Sequence, residues 1–346
     1  MSDELIPIIF IPGLMGSMGG EMLGCKCGWG FGVAAWVYRP FIGQLENLGY
    51  TLNKNLFVCY YDWRKSCKDI VEQFLRPLLL KVGAKYPDQK IDLLCHSMGG
   101  LVGRTYIQNK SYGYDIGNFM VLGTPNRGSV DAYYTWSTGK MMENKPNQTN
   151  QLFEIIKKGY IWLITRMLGV PLGKDKIEIL HKNFQGLGDL LPAYDYGYVL
   201  CYEDGNNNYV YIPNEYIKYK NSFISNLNKN ISILNNRVKN LYCFIGTGRK
   251  TDETLVVDKK AMLNNKSEDI ISSLETRKGD GTVTVKSATI DSGKTFMMNE
   301  GHSGILTGSI QYIANIYGIK ESLIEKKIVE PEGYPLGIIF KKYIDM

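Results

Sequence analysis

Residues 90–108, KIDLLCHSMGGLVGRTYIQ, constrain this chain more than any other stretch. Residues 91–95 form a short apolar run, which predicts a buried strand, and Gly99 and Gly100 open an amphipathic helix just after Ser97. A strand that turns directly into a helix at a serine is the pattern of a nucleophile elbow, where a strained backbone lifts the serine Oγ above the sheet. Such a turn requires small residues two positions to either side, so that strand and helix can approach closely. Gly99 meets that demand downstream; upstream stands Cys95, small but not glycine. The helix N-terminus behind Ser97 favours negative charge developing beside it. Because S-x-G alone recurs by chance, the flanking strand and helix carry the inference against an ordinary strand-to-helix turn.

The rest of the chain supplies the setting. An apolar strand over 6–11 ends at Pro12-Gly13 and leads into the loop PGLMGSMGG, which lacks the Lys-Ser/Thr of a phosphate-binding loop. A loop at the end of a first strand, facing the elbow, is where an oxyanion-binding amide is needed, and the N–H of Leu14 is the candidate. Met15 is a candidate pocket residue, with Trp29 and Phe31 from the glycine-rich segment GCKCGWGFG; those two aromatics either touch an apolar substrate or lipid surface, or fold inward. Helices are predicted over 33–48, stopped by Gly49, and from a Ser66 cap to about 85. Strands are predicted over 55–61, 118–123, 241–246 and, shorter, 255–258. Strand and helix alternate from residue 6, which predicts an α/β fold with a mostly parallel doubly wound sheet and its site at the strand carboxyl ends. That rhythm stops between 129 and 239, too long for a plain loop. The expected organisation is a core of residues 1–128 and 240–346 with an inserted cap over 129–239, which includes an apolar helix at 152–168.

Of 346 residues 44% are hydrophobic, enough for a substantial core. A net charge of +6 without a dense Lys/Arg run argues against a nucleic-acid partner, leaving weak attraction to anionic lipid surfaces. The seven cysteines are odd in number, and Cys59, Cys95 and Cys243 sit in strand-like runs, which suggests free thiols in a reducing compartment. Cys25-Lys26-Cys27 has metal-ligand spacing but no second Cys/His pair accompanies it. No signal peptide is visible and no 18-residue apolar run occurs, so the expectation is a cytoplasmic protein without a transmembrane segment.

A nucleophilic serine needs a base, and the base an orienting carboxylate. The chain has three histidines. His96 adjoins Ser97 and on an elbow points elsewhere; His181 lies in the insertion; His302 precedes the last predicted helix, which Ser303 would cap. Among the acids, Asp280 is favoured over Asp252, Asp258 and Asp291: it is flanked by Gly279 and Gly281 after a strand, although an aspartate between glycines is also an ordinary turn residue. The order Ser97, Asp280, His302 is that of the α/β-hydrolase fold.

Together CHSMGG (95–100), YYDWR (60–64) and GDGTV (279–283) resemble the lecithin:cholesterol acyltransferase-like lipases, with GTP (123–125) similar to the strand end leading to their lid. The match spans 6–128 and 240–318. It implies an α/β-hydrolase with an inserted lid, a Ser97–His302–Asp280 triad, an oxyanion hole from the Leu14 and Met98 amides, and lipid esters as substrates, with no cofactor or metal. The acceptor is water or an alcohol. Asp62, Trp63 and Arg64 are a buried structural cluster or, alternatively, shape the acyl pocket. The paired lid cysteines of secreted animal members have no counterpart. The rival readings are a soluble carboxylesterase for small esters and a catalytically silent binding protein.

Overall fold

The computed structural model describes residues 5–23, 26–140, 176–206, 208–260 and 269–319. Ten strands are present among them: β1 (Ile8–Ile11), β2 (Leu56–Val58), β3 (Ile91–His96), β4 (Ile116–Leu122), β5 (Leu200–Glu203), β6 (Tyr209–Ile212), β7 (Asn240–Gly246), β8 (Thr251–Val257), β9 (Ile270–Thr276) and β10 (Lys294–Met298). Six form a central sheet in the order β10-β7-β4-β3-β1-β2, with every neighbouring pair parallel. The chain is an α/β-hydrolase fold.

The inner strands β1, β3, β4 and β7 are buried on both faces, whereas the edge strand β10 is largely exposed. In β1, Ile9 and Ile11 join one apolar cluster while Ile8 and Phe10 join the other. The same alternation recurs in β4, with Phe119 and Val121 against Met120 and Leu122. Fully buried runs of this kind are what a helix-covered parallel sheet requires. Helix α1 (Ala35–Asn47) supplies Tyr38, Phe41, Ile42 and Leu45 to one face, and Gly49 beyond its end sits at φ +95°, the expected stop. Ser66 accepts the Asp69 N–H and caps the next helix, which runs through Cys67–Ile70, a π-helical Val71–Leu75 and Arg76–Lys85. Helix α2 (Met98–Ile107), buried along its whole length, follows the elbow.

The C-terminal helix departs from expectation. It is two pieces, α4 (Gly304–Gly308) and α5 (Ile310–Ile316), and Ser303 makes no side-chain cap, because its own backbone is already helical at φ −79°, ψ −29° rather than extended. (Helix α3, Val130–Thr138, opens the insertion.) The predicted helix at 152–168 lies outside the described residues.

A second sheet, β6-β5-β8-β9, stands apart from the first. Residues 255–258, read from sequence as a further strand of the core pattern, belong here. The sheet draws β5 and β6 from the insertion and β8 and β9 from beyond residue 240. One apolar cluster joins Val130 and Tyr133 of α3 to Leu200, Ile212, Leu255 and Val257, so this sheet is packed on the insertion and crosses the expected boundary.

Strand order also places the site. From β1 the chain builds β2 on one side, then returns with β3 on the other. The carboxyl ends of β1 and β3 therefore flank the switch point, the crevice where ligands bind in open α/β sheets.

Candidate active site

Ser97 sits at that crevice with φ +53° and ψ −125°, a conformation that favours glycine. Holding a serine there costs about 1–3 kcal/mol, which the surrounding structure must offset. Strand and helix are locked around it. A Cβ on Gly99 would lie 2.3 Å from the Ile11 carbonyl oxygen, so only glycine lets α2 pass β1 this closely. The cysteine upstream is accommodated from the helix side: Gly103 leaves room, its ideal Cβ position being 3.2 Å from Cys95 Sγ.

The structure brings the three residues separated in sequence together. His302 Nε2 is 2.9 Å from Ser97 Oγ, and His302 Nδ1 is 2.8 Å from Asp280 Oδ2. With Nδ1–H donating to the carboxylate, Nε2 is left to accept the serine proton. The other carboxylate oxygen of Asp280 accepts the N–H groups of Thr282 (2.9 Å) and Val283 (2.7 Å), the turn that the GDGTV segment makes. Asp280 is 3% exposed, out of competition with water. Asp252, by contrast, is hydrogen-bonded to Ser273 in the second sheet, and Asp291 pairs with Arg127. Gly123 was not singled out for this site from sequence. It stands at φ +58°, and a Cβ there would lie 3.1 Å from His302 Nδ1 and 3.2 Å from Asp280 Oδ2.

The loop after β1 is held at several points. The Tyr61 hydroxyl donates to the Pro12 carbonyl (2.6 Å), the Gly13 N–H donates to the Tyr38 hydroxyl (2.9 Å), and Gly16 N–H closes a turn on Gly13 C=O. Met15 takes φ +60° within that turn. Among the described residues, neither the Leu14 nor the Met98 N–H donates to another group. A cavity opens between Leu14, Met15, Ser97 and His302, and Val33, Ala34 and Val37 add an apolar wall. The α1 wall was not foreseen; nothing in an amphipathic pattern says which turn of a helix overlooks a crevice.

Trp29 and Phe31 do not line that cavity. Phe31 is buried against Phe10, Tyr38 and Tyr60, and Trp29 packs edge-on to Phe74 with its ring over Gly19. Phe31 fits the folded-inward reading of this loop, while Trp29 is only partly buried. Asp62 and Arg64 form a two-point ion pair, 2.8 and 2.7 Å, and Trp63, 2% exposed, packs at a tilt against Phe184 of the insertion. The Arg64 carbonyl accepts the Gly186 N–H and Asp189 accepts the Cys67 N–H, so this segment is where residues 184–189 dock. His181 stacks on Trp136 within the insertion.

Cys59, Cys67, Cys95, Cys201 and Cys243 are free and buried, whereas Cys27 is disulfide-bonded. No group of His, Cys, Asp and Glu suited to a metal occurs among the described residues, nor any helix long and apolar enough to cross a membrane.

A family model described as lecithin:cholesterol acyltransferase matches residues 30–164. No curated protein matches the chain in sequence. Among solved structures, the Tle4–Tli4 complex aligns with a TM-score of 0.53 at 13% identity, covering 91% of this chain and 98% of that one, which supports the shared fold. The mature lipase BlEst2 of Bacillus licheniformis aligns over 91% of this chain and 92% of its own at 15% identity, with a TM-score of 0.45. The family match covers the stretch that carries the elbow and the YDWR segment, within a parallel-sheet fold of the hydrolase type. Over residues 30–164, then, the chain is similar to the lecithin:cholesterol acyltransferase family, on a fold of the α/β-hydrolase type.

Proposed function

We propose that the protein is a serine acyl hydrolase or O-acyltransferase acting on lipid esters. The observation that carries this reading is the unbroken hydrogen-bond chain from Ser97 Oγ through His302 to Asp280, at a strained turn above a switch-point crevice. Ser97 Oγ attacks the ester carbonyl carbon while its proton passes to His302 Nε2. Asp280 stabilises the imidazolium and keeps Nδ1 protonated. The carbonyl oxygen, now an anion, takes the Leu14 and Met98 N–H groups. Collapse expels the alcohol with the proton from Nε2 and leaves an acyl-Ser97. Water or an acceptor alcohol then attacks the acyl carbon, giving its proton to His302, which passes it to Ser97 Oγ as the acyl–oxygen bond breaks and the acid or new ester leaves.

The apolar wall of Leu14, Met15, Val33, Ala34 and Val37 supports an acyl chain as the group bound there. Each CH₂ removed from water is worth about 0.8 kcal/mol. On a p-nitrophenyl ester series, kcat/KM should therefore rise from acetyl to at least octanoyl, with further activation on dispersed lipid. A fluorophosphonate probe should label wild type and not Ser97→Ala. Preference for acetate with no response to an interface leaves a small-ester carboxylesterase; absence of labelling leaves a silent hydrolase-fold binding protein.

A further inference from the structure

His96 precedes the proposed nucleophile, yet its ring takes no part in the chain from Ser97 to Asp280. It is 4% exposed, borders with Tyr38 the same cavity as Ser97, and lies 4.8 Å centroid to centroid from the His302 ring. Its two nitrogens have different partners: Nδ1 is 3.0 Å from the Tyr38 hydroxyl, and Nε2 is 3.0 Å from the backbone carbonyl oxygen of His302. The Tyr38 hydroxyl is in turn 2.9 Å from the Gly13 N–H.

The protons in this chain can be assigned from its ends. A carbonyl oxygen only accepts, so Nε2 of His96 carries a hydrogen. A backbone N–H only donates, so the Tyr38 oxygen is an acceptor from Gly13. A neutral imidazole has one N–H, which leaves Nδ1 as an acceptor, and the Tyr38 O–H donates to it. Every donor and acceptor is then matched, with the direction running Gly13 to Tyr38 to His96 to His302. A cationic His96 would present a second N–H to Tyr38 and strand the hydroxyl hydrogen in a buried place, at the cost of an unsatisfied polar group. Burial, aided by the neighbouring His302, pushes the His96 imidazole down to about 3, and burial raises the Tyr38 phenol, so both stay neutral across the working range.

What this chain connects matters more than its own stability. At one end is Gly13, next to Leu14, which lines the cavity and whose amide is the proposed oxyanion donor. At the other is the main chain of His302, pinned on its amide side by donation to the Asp280 carbonyl (2.8 Å) and on its carbonyl side by His96. We propose that Tyr38 and His96 are positioning residues that tie the β1 loop to the His302 backbone, and so hold base and oxyanion donor in fixed relation across Ser97. The inference rests on the serine-hydrolase reading above. Its logic is that of preorganisation: a displacement of about 1 Å between such groups costs on the order of a hundredfold in rate.

The test compares three variants, Tyr38→Phe, His96→Gln and His96→Leu, using kcat and KM on a soluble p-nitrophenyl ester together with thermal melting. Tyr38→Phe removes a single oxygen from a buried ring and keeps the test usable should a His96 variant fail to fold. It and His96→Leu should lower kcat roughly ten- to hundredfold with KM within about twofold, the pattern of a loss felt in the transition state. His96→Gln, whose amide can still donate to the His302 carbonyl, should recover most of kcat. The double variant Tyr38→Phe/His96→Leu should cost little more than either single one, since one chain is being cut twice. A role limited to filling space predicts the reverse ranking, because leucine suits an apolar hole better than an amide. Leucine matching or exceeding glutamine in kcat, or three variants with wild-type kcat, overturns the proposal. Ser97→Ala run alongside separates the two levels: retained turnover there would remove the serine-hydrolase reading itself.

Discussion

At the residue scale, the site depends on side chains whose states are set by what surrounds them. Asp280 is an acceptor for two amides and one imidazole at once. Asp280→Asn keeps the shape but offers the imidazole a poorer partner and invites the wrong tautomer, so kcat should fall by ~10⁴ with the melting temperature nearly retained. Steady-state kinetics on a chromogenic ester check this, and a larger loss in Asp252→Asn would move the assignment. His96 gives a second expectation, one about pH. Its folded value, about 3, lies below the ordinary imidazole value near 6.5. Between those values the unfolded chain binds a proton that the folded one refuses. The contribution is therefore fully present above pH ~6.5 and is lost as pH falls toward 3, with a slope of up to ~1.4 kcal/mol per pH unit. Denaturant melts at pH 7 and pH 4.5 should show the wild type losing more stability than His96→Gln over that interval. Equal losses would mean that His96 is not held neutral.

At the scale of elements, the elbow is a contact between a strand and a helix as much as a turn. Gly99 faces the carbonyls of Ile11 and Pro12, backbone atoms that cannot rotate away. Gly99→Ala should destabilise by at least about 1–3 kcal/mol, the range for overpacking, and activity should fall with it because the helix is pushed from β1. Urea titration together with esterase assay measures both; a variant of wild-type stability would show that α2 can move. The Cys95–Gly103 pairing makes the same point from the other side. Gly103 faces Phe119 of β4 as well as Cys95, so the helix lies against both strands with no side chain between.

For the whole molecule, the second sheet decides how the insertion is joined to the core. Leu255 is fully buried in the cluster that unites α3 of the insertion with β5, β6 and β8. Leu255→Ala should cost about 2–5 kcal/mol, as for other buried leucines, and should raise protease sensitivity in residues 176–219, on the opposite side of the 240 boundary. Limited proteolysis with mass mapping reads this directly. Sensitivity confined to residues 251–276 would instead mean that the insertion holds together without them.

Much of this protein is legible in its sequence, because the information is local. The buried strands of the central sheet are short, mostly apolar runs, the Ser66 cap and the Gly49 stop lie where their chemistry requires, and a serine between a strand and a glycine-led helix can form few other turns. The choice of Ser97, Asp280 and His302 as a set also came from sequence order, and the fold brings them within hydrogen-bonding distance. What only the tertiary structure decided depends on residues far apart in the chain. Phe31 turns inward because Phe10, Tyr38 and Tyr60 form a niche that no local pattern announces. Residues 251–257 leave the central sheet because their partners are β5 and β9. His96 finds its two partners at Tyr38 and at the His302 carbonyl, separated from it by 58 and 206 positions. Hydrophobic periodicity reports which side of an element is buried; it carries no record of what that side is buried against, and that is settled only when the sheet order is fixed.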